Sequence, residues 1–277
     1  MRAFFAPRAV ASFGFAVAAL TAAFMASPPA RAAAGDDPAE REARWQDIAK
    51  TVFGDRAPKD GAGVIELGTS LRAEDASLVP MTVTLPGKEP IKGMYLIIDD
   101  NPSPVAAHFI FGPAADPREI KLRVRVNTYT NVHAIAETAD GGLYEAVRFI
   151  KAAGGCSAPM GMSNEEAMKD IGDIRLKFPP DAAPGKATQA TLMVRHPNFN
   201  GMQMDQISRM YTPARYIQSI SVTTGDKKVF DLSTDISLAS NPVISFGLVP
   251  QGEVKIAVDD SNKAHWEKSF PGPQLSN

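Results

Sequence analysis

Cysteine is almost absent from this 277-residue sequence: Cys156 is the only one. A single thiol cannot form an internal disulfide, so each folded region must be held by its own apolar core. Strong charge of one sign is also missing, with 29 basic against 31 acidic residues and a net charge of −2. Nucleic acid is therefore a poor partner, because phosphate binding needs a basic face. Histidine is scarce too, and His108, His133, His196 and His265 show no ligand spacing. No phosphate-binding loop, catalytic triad or metal-ligand cluster can be read, and neither a metal nor a cofactor is expected.

Beyond Met25 no apolar run is long enough to span a bilayer, which takes about 20 residues. The run from Ala9 to Met25 follows a short basic segment holding Arg2 and Arg8. It leads into Ser27-Pro28-Pro29-Ala30-Arg31-Ala32, whose small residues suit a signal peptidase. Residues 1–32 thus read as a Sec-type signal peptide, and the expected destination is the periplasm. Removing Arg2, Arg8 and Arg31 takes the mature chain to a net charge of about −5. The mature chain is expected to have no membrane span.

What the sequence does hold is short strands. Arg44 to Phe53 carries Trp45, Ile48, Ala49, Val52 and Phe53 at helical spacing, which predicts a short helix ending at Gly54. Asp36 to Glu42 before it reads as polar and frayed. From Leu78 the period changes to two. Strands are predicted over 78–85, 91–99, 106–111, 120–129, 131–138 and 143–152, with Pro, Gly and Asp turns between them. In the fourth of these Leu122, Val124 and Val126 alternate with Lys121, Arg123 and Arg125, as in a half-buried antiparallel strand. This module over 40–156 is an antiparallel β-sandwich by pattern.

A connector over 157–186 contains a capped helix start at Ser163-Asn164-Glu165-Glu166, predicted to run to about Ile171. Pro179-Pro180-Asp181-Ala182-Ala183-Pro184-Gly185 is the clearest linker signal. Strands resume over 188–195, 216–222, 229–232, 243–249, 253–259 and 265–268, giving a second small sandwich over 187–277. The fold class is all-β, with a short N-terminal helix and a helical connector. His196-Pro197-Asn198-Phe199-Asn200-Gly201 reads as a turn that interrupts the second sandwich. Asp99-Asp100 and Asp259-Asp260 read as hairpin-turn residues.

Cys156 stands in Gly154-Gly155-Cys156-Ser157-Ala158-Pro159, at the junction of the two modules. Free cysteine often packs as a small hydrophobe. Here no apolar stripe is in view to bury it, so a poorly shielded, functional thiol on a flexible arm at Gly154 and Gly155 is expected. Reactivity would need positive potential near the sulfur, and Lys151 or the helix start near Asn164 could supply it. Met160, Met162, Met202, Met204 and Met210 suit soft Cu(I) in type, but read first as packing residues.

Three stretches carry a family resemblance. Met193-Val194-Arg195-His196-Pro197, Pro213-Ala214-Arg215-Tyr216-Ile217 and Ser240-Asn241-Pro242-Val243-Ile244-Ser245-Phe246 resemble the SoxZ half of the SoxYZ sulfur carrier. The first module, ending in Gly154-Gly155-Cys156, resembles SoxY. Together they are similar to fused SoxYZ-like carriers that accompany quinoprotein dehydrogenases. The resemblance implies two immunoglobulin-like sandwiches paired within one chain, and a non-enzymatic carrier that holds sulfur intermediates on Cys156. It also implies partner enzymes in the periplasm, of the Sox type or of a quinoprotein dehydrogenase system. The alternative is a non-covalent accessory module for such a dehydrogenase. In the family the cysteine arm ends the chain with glycines on both sides, whereas Cys156 is internal and followed by Ser157-Ala158-Pro159. An arm held at both ends sweeps a smaller volume.

Overall fold

Asp37 and Pro38 set the first element. The Asp37 side chain accepts from the Ala39 N–H at 2.8 Å, and Pro38 occupies a helix position that needs no donor. Helix α1 (Pro38–Phe53) therefore begins six residues before the sequence reading placed it, and the segment expected to be frayed is helical from Pro38 onward. It ends at Gly54, whose φ of 64° favours glycine. Trp45, Ala49 and Phe53, four residues apart, form the buried stripe. They pack on Ile97, Ile135 and Leu143.

The computed structural model describes Met1 and residues 37–87, 89–205 and 208–274. The expected signal peptide, Met1 apart, lies outside these residues. Among the described residues no helix is long and apolar enough to cross a membrane.

The first half of the chain holds β1 (Lys59–Asp60), β2 (Glu66–Gly68), β3 (Val79–Thr84) and β4 (Ile91–Ile98). It continues with β5 (Val105–Phe111), β6 (Ala115–Val124), β7 (Thr130–Thr138) and β8 (Leu143–Ile150). The second half begins with α2 (Asn164–Met168) and β9 (Ile174–Lys177), followed by β10 (Thr188–Val194) and β11 (Ile217–Thr224). Then come β12 (Lys227–Thr234), β13 (Val243–Leu248), β14 (Val254–Asp260) and β15 (His265–Phe270). Two features correct the reading of 157–186 as a plain connector. Helix α2 stops at Met168 rather than running on to Ile171. Strand β9 pairs antiparallel with β10, Ile174 opposite Val194, so the proline-rich stretch 179–185 links two strands of one half.

The strands assemble into two sheets, and both run through the two halves. One has nine strands in the order β1-β8-β7-β4-β5-β12-β11-β14-β15; the other has six, in the order β2-β3-β6-β13-β10-β9. The halves join where β5 pairs with β12 and β6 with β13, each antiparallel. Alternation explains the facing core, because residues two apart on a strand share a side of the sheet. Val79, Met81 and Val83 of β3, and Val254, Ile256 and Val258 of β14, are all buried. One apolar cluster includes residues of both halves. At the join Phe230 of β12 meets Phe109 of β5 edge-on at 5.2 Å and Phe246 of β13 at 5.0 Å, a favoured aromatic geometry.

Candidate functional site

Past the end of β8 the chain crosses the seam between the halves, and here the expectation of an exposed arm is overturned. Cys156 is fully buried. The Gly154 N–H donates to the Asn127 carbonyl at 2.7 Å, and Gly155 N–H to the Val126 carbonyl at 3.2 Å. A side chain on Gly155 would collide with the carbonyls of Ala76 and Val126. Glycine is required there for close backbone approach, and Gly154, at φ 72°, supplies the turn. The two glycines that read as flexibility are, in this structure, what lets the segment lie flat against the first half.

The other side of the segment is held by the second half. Asn200 Nδ2 donates to the Cys156 carbonyl at 2.6 Å, and Gln203 Nε2 reaches the Ala158 carbonyl at 3.5 Å. Further along, Asn164 Nδ2 meets Thr212 Oγ1 at 3.0 Å. These partners lie in the long excursion between β10 and β11, which the sequence presented as a simple interruption. Its polar side chains act as backbone substitutes. Asn198 Nδ2 donates to the Ala239 carbonyl at 2.8 Å, and its Oδ1 accepts from the Ile217 N–H at 3.0 Å. Asn200 Oδ1 accepts from the Met202 N–H at 2.9 Å. Buried amides satisfied in this way fix a loop firmly.

The cation associated with the thiol is Arg125, not Lys151 or the α2 terminus. Lys151 Nζ sits 5.8 Å from the Tyr129 ring centre. Arg125 is buried, although strand alternation placed it on the solvent side with Lys121 and Arg123. The physical reason is that β6 ends at Val124, so the alternation no longer applies one residue later. Arg125 Nη1 donates to the carbonyls of Asn198 at 3.0 Å and Leu238 at 3.2 Å. Nη2 lies 4.0 Å from Met160 Sδ, and Nε has no hydrogen-bond partner.

Burial pushes the Cys156 thiol up to about 11, with the Arg125 charge pulling it only partly back. Burial likewise pushes the Arg125 guanidinium down to about 10, opposed by Cys156 and Asp75. At pH 7 the buried thiol is therefore neutral. Attack on a sulfur electrophile needs the thiolate.

The histidines and methionines do not converge. His133 lies between Asp99 Oδ2 at 3.1 Å and Glu145 Oε1 at 2.5 Å, under the Trp45 ring at 3.7 Å. Asp99 is thus a buried ion-pair partner rather than a plain turn residue. Likewise Asp260 is buried, holding Arg215 at 2.7 Å besides closing its turn. His196 is buried with Nδ1 accepting from the Asn198 N–H at 3.0 Å. His108 stacks on Tyr95 at 3.8 Å, and His265 Nδ1 meets Asp259 at 2.7 Å on the surface. Met162, Met204 and Met210 are exposed. Among the described residues no group of three His, Cys, Asp or Glu side chains is placed to hold a metal.

The His133 cluster gives stability a pH dependence. Burial alone pushes His133 down, but its contacts with Asp99 and Glu145 outweigh this and hold it above its ordinary 6.5. A raised folded-state value means the contribution is complete below about 6.5 and is lost as pH rises through the folded-state value. Denaturant midpoints measured between pH 7 and pH 9, above the range in which the depressed His108 and His196 titrate, should fall with rising pH, and His133→Gln should flatten that fall. A wild-type midpoint that rises across the window contradicts this.

Residues 49–156 match the family model of the sulfur oxidation protein SoxY, and residues 174–271 match that of the sulphur oxidation protein SoxZ. This chain is a fused SoxYZ-like protein. The SoxY and SoxZ matches fall in tandem on the two halves, consistent with two immunoglobulin-like sandwiches in one chain. The SoxY match ends on Cys156 itself, and the SoxZ match starts at the first residue of β9. No curated protein matches the chain. A solved structure, the sulfur carrier protein SoxY from Chlorobium limicola f thiosulfatophilum, is 26% identical. It aligns over 41% of this chain and 96% of its own, with a TM-score of 0.36.

Proposed function

We propose that this SoxYZ-like chain is a carrier that holds a sulfur-containing, or other soft electrophilic, group covalently on Cys156 for partner enzymes. The observation that carries the reading is the position of Cys156. The only thiol of the chain is the last residue of its SoxY match and lies under a clamp from its SoxZ half. Loading proceeds by thiolate attack on a sulfur electrophile. A sulfur–sulfur bond forms, the leaving group departs with the electron pair, and the thiol proton passes to solvent. A second nucleophile later attacks the carried group and returns the thiolate. The leader-like segment over 1–32 supports a periplasmic site of action. The partners are redox enzymes of the Sox type or of a quinoprotein dehydrogenase system.

A second reading draws on the burial of the thiol. A neutral, fully covered Cys156 suits a non-covalent accessory module for a quinoprotein dehydrogenase, in which the segment only packs the seam. Intact-mass measurement on protein purified from its native cells separates the two. The carrier predicts an adduct on Cys156 that reductant removes, and complete loss of function in Cys156→Ser. Repeated absence of any adduct, with Cys156→Ser fully active in vivo, leaves the accessory reading in its place.

A further inference from the structure

A buried guanidinium is normally matched by a carboxylate, since an unpaired charge away from water is costly. Arg125 has no such match among the described residues. Of its five N–H donors, two meet carbonyl oxygens, one faces the weak acceptor Met160 Sδ, and Nε–H meets nothing. Its side chain is 1% exposed, so water does not stand in for the missing acceptor at the surface. Asp75 exerts a charge effect on it from a distance, but its Oδ1 is engaged by the N–H and Oγ of Ser77.

Cys156 lies in the same seam. Gly155 is bonded to Val126, the residue after Arg125, and the Asn198–Gln203 loop that accepts from Arg125 also holds the Cys156 carbonyl. A neutral thiol cannot serve as counter-ion. We infer that Arg125 is a preformed anion site for the far end of the group carried on Cys156, so that a negatively ended adduct docks more firmly than the free thiol or an uncharged adduct. Met160, a flexible, half-buried side chain beside Arg125 Nη2, is what the anion displaces. Arg125 would thus be a positioning residue that tells loaded from unloaded carrier. This deepens the carrier reading and rests on it for the biological cargo.

Chemical loading tests it without that cargo. The purified full chain is treated with 2-sulfonatoethyl, propyl or 2-(trimethylammonium)ethyl methanethiosulfonate, and loading is followed by intact mass. In each case Cys156 sulfur bonds to the reagent's thio sulfur, the sulfur–sulfonyl bond breaks, and methanesulfinate leaves with the electron pair while the thiol proton is released. Release by dithiothreitol is then timed for each adduct, folded and in urea. The unfolded chain corrects for any charge effect of the reductant.

The expected result is that folding slows release of the sulfonate adduct at least fivefold more than release of the propyl adduct, with the cationic adduct protected least. Arg125→Gln should bring the three to the same folded-to-unfolded ratio, and Arg125→Lys should keep part of the order. Equal protection of the three adducts in the wild-type chain overturns the inference, and this arm stands even if the variants fail to fold. Persistence of the order in a folded Arg125→Gln chain overturns it as well. Absence of an adduct on native protein would sink the carrier reading while leaving this result untouched; equal protection would sink the anion site while leaving the native adduct untouched.

Discussion

Gly155→Ala is expected to raise the rate at which Cys156 is alkylated by iodoacetamide by tenfold or more, without abolishing the fold. The added methyl would collide with two backbone carbonyls, those of Ala76 and Val126, and neither can swing aside as a side chain could. Overpacking of this kind costs about 1–3 kcal/mol, and about 1.4 kcal/mol is a factor of ten in an opening equilibrium. The cost falls on the docked segment, because the sandwiches need nothing from Gly155 except its place against Val126. Lifting the segment also exposes the thiol to water, so the pH at which alkylation reaches half its maximum should drop from about 11 toward the ordinary cysteine range. An unchanged rate and an unchanged pH profile would mean that the glycine is not what seats the thiol.

Phe230→Ala is expected to cost about 3–5 kcal/mol, the range for removing a fully buried aromatic ring. Phe230 belongs to the second half yet touches Phe109 of the first, so the loss strikes a core that both halves share. Unfolding should therefore remain a single transition at a lower denaturant concentration. The chain has two tryptophans, and they lie one in each half: Trp45 on α1 and Trp266 on β15. Fluorescence from Trp45→Phe and Trp266→Phe versions, each reporting one half, should give coincident midpoints in the Phe230→Ala background. Two separated midpoints would show that the halves unfold independently and that the shared sheets do not couple them.

Much of this architecture was legible from the chain alone. The sequence pattern located β3 to β8 and β10 to β15, and alternation is plainest in strands such as β3 and β14, which bury one face and expose or half-expose the other, whereas β7 is buried on both faces. The strands that escaped notice, β1 and β2, have two and three residues, too few for any period to register. Strand β9 did carry a signal, with Ile174 and Leu176 alternating with Arg175 and Lys177, but four residues beside a proline-rich stretch read as linker. The start of α1 was also written in the sequence: Asp37-Pro38 is a cap followed by a first-turn proline.

The site was legible in position but not in state. Cys156 stood out by being alone and beside two glycines. Its burial depends on contacts with Val126, Asn127 and Asn200, which lie 29 to 44 residues away in the chain and leave no local trace. Arg125 was hidden by its own strand, since alternation assigned it to solvent and nothing local marks where β6 ends. The Asn198, Asn200 and Gln203 side chains had a faint signal, as amides clustered with Gly201 where a short turn would have sufficed.

The two sheets that run unbroken through the molecule bear on how the carrier stays paired. The strands β5, β6, β12 and β13 would be open edges if the halves were separate, each a row of unpaired N–H and C=O groups able to recruit a foreign strand. Here every one of them is capped by its mate from the same polypeptide. Joining the halves within one chain keeps each mate at an effective concentration on the order of millimolar. Exchange of halves between molecules is thereby suppressed, and the cysteine always meets its own clamp.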